Sequence, residues 1–216
     1  MTNEEILGFI DHTLLKASAA WSEIEKVCGE ALTYKTASAC IPPCYVRRAA
    51  TAFPSLNVCT VVGFPLGYSV SSAKERETEE ALADGASEID MVINIGAVKN
   101  NDFAAVEREI TALKRICGER ILKVIVETCY LMREEKQRLC VAVTDAGADY
   151  IKTSTGFGSA GAMLDDIALF KKYIGGDVKI KAAGGIRTKE AFIAFLSAGC
   201  SRIGSSSAMD ILISHS

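Results

Sequence analysis

The chain of 216 residues carries 24 basic and 27 acidic side chains, a formal net charge of -3, and is 49% hydrophobic and 24% charged. That is the composition of an ordinary globular protein long enough to bury a sizeable core, and the lack of a basic stripe argues against a broad nucleic-acid surface. No apolar run approaches the ~18 residues of a membrane span, and the acidic, periodic start is unlike a secretory leader, so a cytoplasmic protein with no membrane partner is expected.

Residues 3–10 read as a short helical lead-in, and Ile10-Asp11-His12-Thr13-Leu14-Leu15 as a first strand with its exit loop. Ser22-x-x-Glu25 has the form of a capping box, after which Ile24, Val27, Cys28, Ala31 and Leu32 recur at helical spacing. Thr36 to Ile41 is a second strand, stopped by Pro42-Pro43, which suit a helix start and predict a helix over about 43–52. Leu56 to Val62 is a third strand, and Ser72 to Glu75 resembles another capping box on a helix that closes at Gly85.

Glu88 to Ile93 is the fourth strand, and Asp102 caps a helix carrying Val106, Ile110, Leu113 and Ile116 on one face, ended by Gly118. Ile121 to Val126 is the fifth strand, followed by a helix from Glu134 to Ala146 that Gly147 ends. Tyr150-Ile151-Lys152 is the sixth strand, and it breaks at once into Thr153-Ser154-Thr155-Gly156-Phe157. A helix over 162–173 precedes the seventh strand, Val178 to Lys181; Thr188 caps the next helix, and Cys200 to Ile203 is the eighth strand, leading through Gly204-Ser205-Ser206-Ser207 into a last short helix.

Helix-ending glycines at 85, 118, 147, 175/176 and 199 are 24 to 33 residues apart, a rhythm without a linker or composition break. Strands alternating with amphipathic helices imply parallel pairing. Eight such units fit a single α/β domain over 1–216, a closed (β/α)8 TIM barrel with a short N-terminal helix, better than the open doubly wound alternative, which has no Gly-x-Gly-x-x-Gly after its first strand. The eight cysteines include no Cys-x-x-Cys pair and read as free buried thiols, and His12 and His215 are too far apart to suggest a metal site.

Asp90, Lys152 and Lys181 place ionisable groups in the apolar runs of strands four, six and seven, where a lone buried charge is costly. Each could point outward and pair with a helix. If they converge, a second cation disfavours protonation of Lys152 and makes it a nucleophile toward carbonyls, with Asp90 moving protons. Lys123 and Lys179 read as structural or supporting charges. The loops Ala183-Gly184-Gly185-Ile186-Arg187 and Gly204-Ser205-Ser206-Ser207 follow strands seven and eight, where barrels commonly bind phosphate through backbone N–H groups.

Several stretches together resemble the deoxyribose-phosphate aldolase family of class I aldolases. They are Ile10 to Leu15, Cys40-Ile41-Pro42-Pro43, Val62 to Gly67, Glu88 to Val92, Lys123-Val124-Ile125-Val126-Glu127-Thr128, Lys152 to Phe157 and Lys181 to Arg187. The resemblance implies a reversible cleavage of 2-deoxy-D-ribose 5-phosphate to D-glyceraldehyde 3-phosphate and acetaldehyde, with small-molecule sugar phosphate and aldehyde substrates and neither metal nor organic cofactor. By the same resemblance Lys152 is the Schiff-base lysine, Lys181 the lysine that lowers its pKa and aids proton transfer, and Asp90 the proton relay. Gly156, Gly184, Gly185, Gly204, Ser206 and Ser207 match substrate- and phosphate-binding positions, and a homodimer is expected.

The sequence has Ala183 and Ser205 where the family pattern has serine and threonine, small-for-small changes that leave backbone phosphate contacts open. The end, Ile213-Ser214-His215-Ser216, lacks the terminal tyrosine that some members use to protonate the enamine, which leaves the final proton donor open. A transaldolase on a longer sugar phosphate and a non-catalytic phosphosugar-binding barrel remain as alternatives; release of acetaldehyde separates the aldolase reading from both.

Overall fold

The computed structural model describes residues 1–213; the expectation about Ser214, His215 and Ser216 lies outside the described residues. Eight parallel strands hydrogen-bond in chain order and the eighth pairs with the first, closing the barrel. In chain order the elements are α1 (Asn3–Leu7), β1 (Ile10–Thr13), α2 (Trp21–Thr33), β2 (Ser38–Ile41), α3 (Val46–Ala52), β3 (Val58–Val62), α4 (Ser71–Ala83), β4 (Glu88–Val92) and α5 (Ile95–Lys99). Then come α6 (Phe103–Cys117), β5 (Ile121–Ile125), α7 (Arg133–Asp145), β6 (Tyr150–Lys152), α8 (Leu164–Tyr173), β7 (Lys179–Ala183), α9 (Lys189–Ala198), β8 (Arg202–Ser205) and α10 (Ala208–Leu212). The first six strands lie within their expected runs; the seventh extends two residues beyond Lys181 to Ala183, and the eighth lies two residues later than expected and takes in Gly204 and Ser205.

Alternation along each strand divides the molecule into two environments. Ile41, Val62, Ile89, Met91, Leu122, Val124, Ile151, Ile180 and Ile203 are buried in the large apolar cluster. There they meet the inward faces of helices such as α6, whose Val106, Ile110 and Leu113 belong to the same cluster. Each such side chain contributes about 1.5–3 kcal/mol on burial. The opposite parity is different. The register places Asp11 opposite Ser38, Cys40 opposite Cys59, Cys59 opposite Glu88, Asp90 opposite Lys123, Lys123 opposite Tyr150, Lys152 opposite Lys181 and Lys181 opposite Arg202. These residues turn into the lumen, where barrels are usually filled with branched aliphatic side chains. Here the apolar part of the lumen is small, with Cys40, Cys59 and Val61 packed under Leu15 and Phe64.

Two expected caps fall elsewhere. Glu23, not Glu25, closes the start of α2, accepting the Ala20 N–H at 3.0 Å, because the helix begins at Trp21 and so brings Glu23 to the reciprocal position. Ser72 lies inside α4, which starts without a side-chain cap; the adjacent Ser71 hydroxyl donates instead to Glu109 at 3.0 Å, a carboxylate already paired with the buried Lys74. Asp102 and Thr188 do cap α6 and α9 as read, accepting from the N–H groups of Ala105 and Ala191. Helix α5, capped by Asn94, is additional.

Candidate active site

The lumen holds a continuous ion network. Asp90 Oδ2 accepts from Lys152 Nζ and from Lys181 Nζ, each at 2.6 Å, while its Oδ1 accepts from Lys123 Nζ at 2.8 Å. Lys181 also donates to Asp11, whose other oxygen accepts from Arg202 at 2.6 Å. Lys123 is 2.5 Å from Glu88, and Arg202 reaches that carboxylate at 3.1 Å. All seven side chains are buried or nearly so. Asp90, Lys152 and Lys181 therefore converge in one cluster, the arrangement the sequence left open against outward pairing.

Burial alone would raise the carboxyl pKa of Asp90 and Asp11, but the surrounding cations outweigh it and hold both below the usual carboxylate range. For Asp90 those cations are Lys123, Lys152 and Lys181; for Asp11 they are Lys181, Lys123 and Arg202. Burial would likewise lower the lysines, yet Asp11 and Asp90 raise Lys181, and Asp90, Cys59, Asp11 and Glu88 raise Lys123. Lys181, expected as a bare second charge beside Lys152, is thus an ion-paired ammonium that competes with Lys152 for one oxygen of Asp90. Lys123 is as central to the network as Lys181, whereas Lys179 is exposed at the start of β7.

Three carboxylates, Asp11, Glu88 and Asp90, face four cations, Lys123, Lys152, Lys181 and Arg202, so the network carries one positive charge in excess when all are ionised. Lys123 lies against three carboxylates, and Lys181 and Arg202 against two each; Lys152 has Asp90 alone. Among the described residues Lys152 is also the network lysine that lines the cavity above, of about 350 Å³, at the carboxyl ends of the strands. Lys152 is thus the network amine with the fewest carboxylate partners and the one open to the cavity.

The cavity brings together the other expected residues. Gly156 from the loop after β6, Gly184 and Gly185 after β7, and Gly204, Ser206 and Ser207 at and beyond the end of β8 all line it with Lys152. Gly184 and Gly185 have φ of +86° and +76°, which an L side chain rarely adopts, so glycine is what lets this turn present its backbone to the cavity. Gly204 is a correction in place: it lies in β8 rather than in a loop, and a Cβ there would stand 3.3 Å from Lys181 Cε. Its smallness makes room for the lysine. Lys16 and Arg187 add positive charge to the lining. Phe157 stacks edge-on against Phe64 at 5.3 Å.

Cys40 Sγ, Cys59 Sγ and a carboxylate oxygen of Asp90 lie within 4.8 Å of one another. A metal ion there would have to displace the three ammonium groups already on Asp90, so these residues fit a cation poorly. Asp11, Glu88, Arg202, Lys16 and Glu127 were not singled out from the sequence. For Asp11, Glu88 and Arg202 the signal is in the sequence, since each is a charge at lumen parity within an expected strand.

The geometry sets a lysine amine over a shared carboxylate, under a cavity lined by glycines and serines. Residues 6–209 match the family model described as DeoC/LacD family aldolase. The chain is 60% identical over 213 residues, 98% of its length and 96% of the relative's, to a Clostridium botulinum protein named deoxyribose-phosphate aldolase. A Streptococcus pyogenes protein of the same name is 52% identical over the same shares. The solved structure of the tetrameric deoxyribose phosphate aldolase of Aeropyrum pernix superposes with a TM-score of 0.89 at 29% identity, covering 99% of this chain and 92% of that one. With a lysine-lined (β/α)8 barrel and full-length identity pointing the same way, the chain belongs to the DeoC/LacD aldolase family.

Proposed function

We propose that the chain catalyses the reversible cleavage of 2-deoxy-D-ribose 5-phosphate to D-glyceraldehyde 3-phosphate and acetaldehyde, with Lys152 as Schiff-base nucleophile. The observation that carries this is the placement of Lys152, at the cavity floor with one shared carboxylate partner. The neutral amine adds to the C1 aldehyde, and loss of water leaves a protonated imine that serves as electron sink. Asp90, acting through water, takes the proton of the C3 hydroxyl as the C2–C3 bond breaks. The C3 carbonyl departs as glyceraldehyde 3-phosphate, and the bond electrons form an enamine on Lys152. Protonation of that enamine at C2 and hydrolysis release acetaldehyde and restore the amine.

Lys181 supports this chemistry by holding one oxygen of Asp90, so that Lys152 does not have a carboxylate to itself. Gly156, Gly184, Gly185, Gly204, Ser206 and Ser207 hold the phosphate end of the substrate through backbone N–H groups and hydroxyls, with Lys16 and Arg187 supplying charge. The iminium is the electron sink, so the reaction needs neither metal nor organic cofactor. The same proposal includes a homodimer in the cytoplasm, checked by light scattering on the purified protein and by cell fractionation; no helix of the described residues is long and apolar enough to cross a membrane.

The test is product analysis with purified protein and 2-deoxyribose 5-phosphate, acetaldehyde being read by NADH oxidation with alcohol dehydrogenase. Equimolar acetaldehyde and glyceraldehyde 3-phosphate are expected. Transfer of a three-carbon unit without acetaldehyde would instead indicate a transaldolase, and binding without turnover a phosphosugar-binding barrel.

A further inference from the structure

Glu127 is a buried charged motif residue that the reaction above leaves without a task. It is 2% exposed, and among the described residues it is the buried carboxylate with no ion pair; Asp11, Glu88, Asp90, Glu109, Glu135 and Asp166 each have one. Its backbone has φ +55° and ψ +69°, the left-handed region, which is uncommon for a residue with a side chain and is held only where the surroundings demand it. The demand is visible on both sides. Val126 donates its N–H to the Lys152 carbonyl at 3.0 Å and Thr128 donates to the Thr153 carbonyl at 2.9 Å, so the chain leaving β5 is laced to the end of β6.

Between those two bonds the Glu127 side chain turns to the same loop. Its carboxylate accepts the Thr155 N–H at 3.3 Å and, through Oε2, the Thr155 hydroxyl. Thr155 Oγ1 in turn accepts the Phe157 N–H at 3.0 Å. Thr155, Gly156 and Phe157 all line the cavity, whereas Glu127 does not. A buried carboxylate whose charge is met by loop donors rather than by a lysine is a stiff, charge-assisted clamp on that loop.

We propose that Glu127 is a positioning residue, a buried clamp that fixes Thr155, Gly156 and Phe157 as the wall orienting the phosphorylated substrate over Lys152. It touches neither the substrate nor the reacting amine. The inference rests on the aldolase reading above. It adds a division of labour: the network below Lys152 governs imine formation, and Glu127 governs how well a substrate that reaches the wall is held.

The test compares two reactions of the intact protein and of Glu127→Gln, whose amide turns one of the two acceptor oxygens into a donor facing Thr155. Acetaldehyde is too small to reach the wall, so borohydride trapping of its imine on Lys152 is expected to match the wild type. The KM for 2-deoxyribose 5-phosphate is expected to rise on the order of 10- to 100-fold, the scale of a misplaced binding group. Thr155→Val, which removes the clamped hydroxyl and is a milder change should Glu127→Gln fold poorly, is expected to raise KM similarly, and the double variant to add little to either. An unchanged KM in Thr155→Val would overturn the proposal. So would a loss of trapping and a lowered melting temperature accompanying the raised KM in Glu127→Gln, which would mark a purely structural role. No trapping even in the wild type would instead sink the aldolase reading.

Discussion

At Lys181 the structure changes how a second lysine can act. Its Nζ is shared between Asp11 and Asp90. Its charge therefore reaches Lys152 less by direct repulsion than by occupying Asp90 Oδ2. Lys181→Leu removes the second ammonium from that oxygen and leaves it to Lys152 alone. Turnover is expected to fall by roughly 10²- to 10⁴-fold, the range of a lost acid–base contribution; steady-state rates at pH 7 check this. Near-normal activity at pH 7 would contradict the role. The triad of Asp90, Lys152 and Lys181 was legible in the sequence because charges inside apolar strand runs are conspicuous. Its partners Asp11 and Glu88 satisfied the same rule, but lay in runs read chiefly for their strand pattern.

At the scale of elements, the strands were the most readable part, since alternating parity and glycine-ended helices repeat around the whole barrel. Caps were less so, because which Ser or Glu closes a helix depends on a two-residue shift of its start and on competing partners, as Glu23 and Ser71 show. What the sequence could not show at all was how the loops after β6 and β7 pack on each other. Ala162 N–H lies 3.1 Å from both the Ala183 and the Gly184 carbonyl oxygens, and a Cβ on Gly161 would stand 2.1 Å from the Gly184 oxygen. Gly161→Ala must therefore push the two loops apart at the wall of the cavity. The expected outcome is a KM for the sugar phosphate raised about tenfold or more, by the logic of misplaced binding groups, with the melting temperature changed little because the barrel is untouched. Wild-type KM in this variant would show that the loop contact does not shape the site.

For the whole molecule, the lumen ties stability to pH. Asp11 and Asp90 have folded pKa values below their unfolded ones, so their contribution is present above about pH 4 and is lost as pH falls toward the folded values. Lys123 and Lys181 have folded values above their unfolded ones, so theirs is present below about pH 10 and is lost as pH rises beyond it. Glu127, whose carboxyl burial pushes up, works the other way in the acid range, as a single group against Asp11 and Asp90. Thermal melts are expected to be flat across neutral pH and to fall below about pH 4; a melting temperature that rises from pH 6 to pH 3 would contradict this network. The barrel thus sets Lys152, the network lysine that lines the cavity, among paired charges, and that amine is the most direct point of test. Incubation with acetaldehyde and borohydride, followed by peptide mass spectrometry, is predicted to find a reduced two-carbon adduct on Lys152, absent in Lys152→Ala together with all turnover. No adduct, or adducts confined to exposed lysines such as Lys179, would contradict the account.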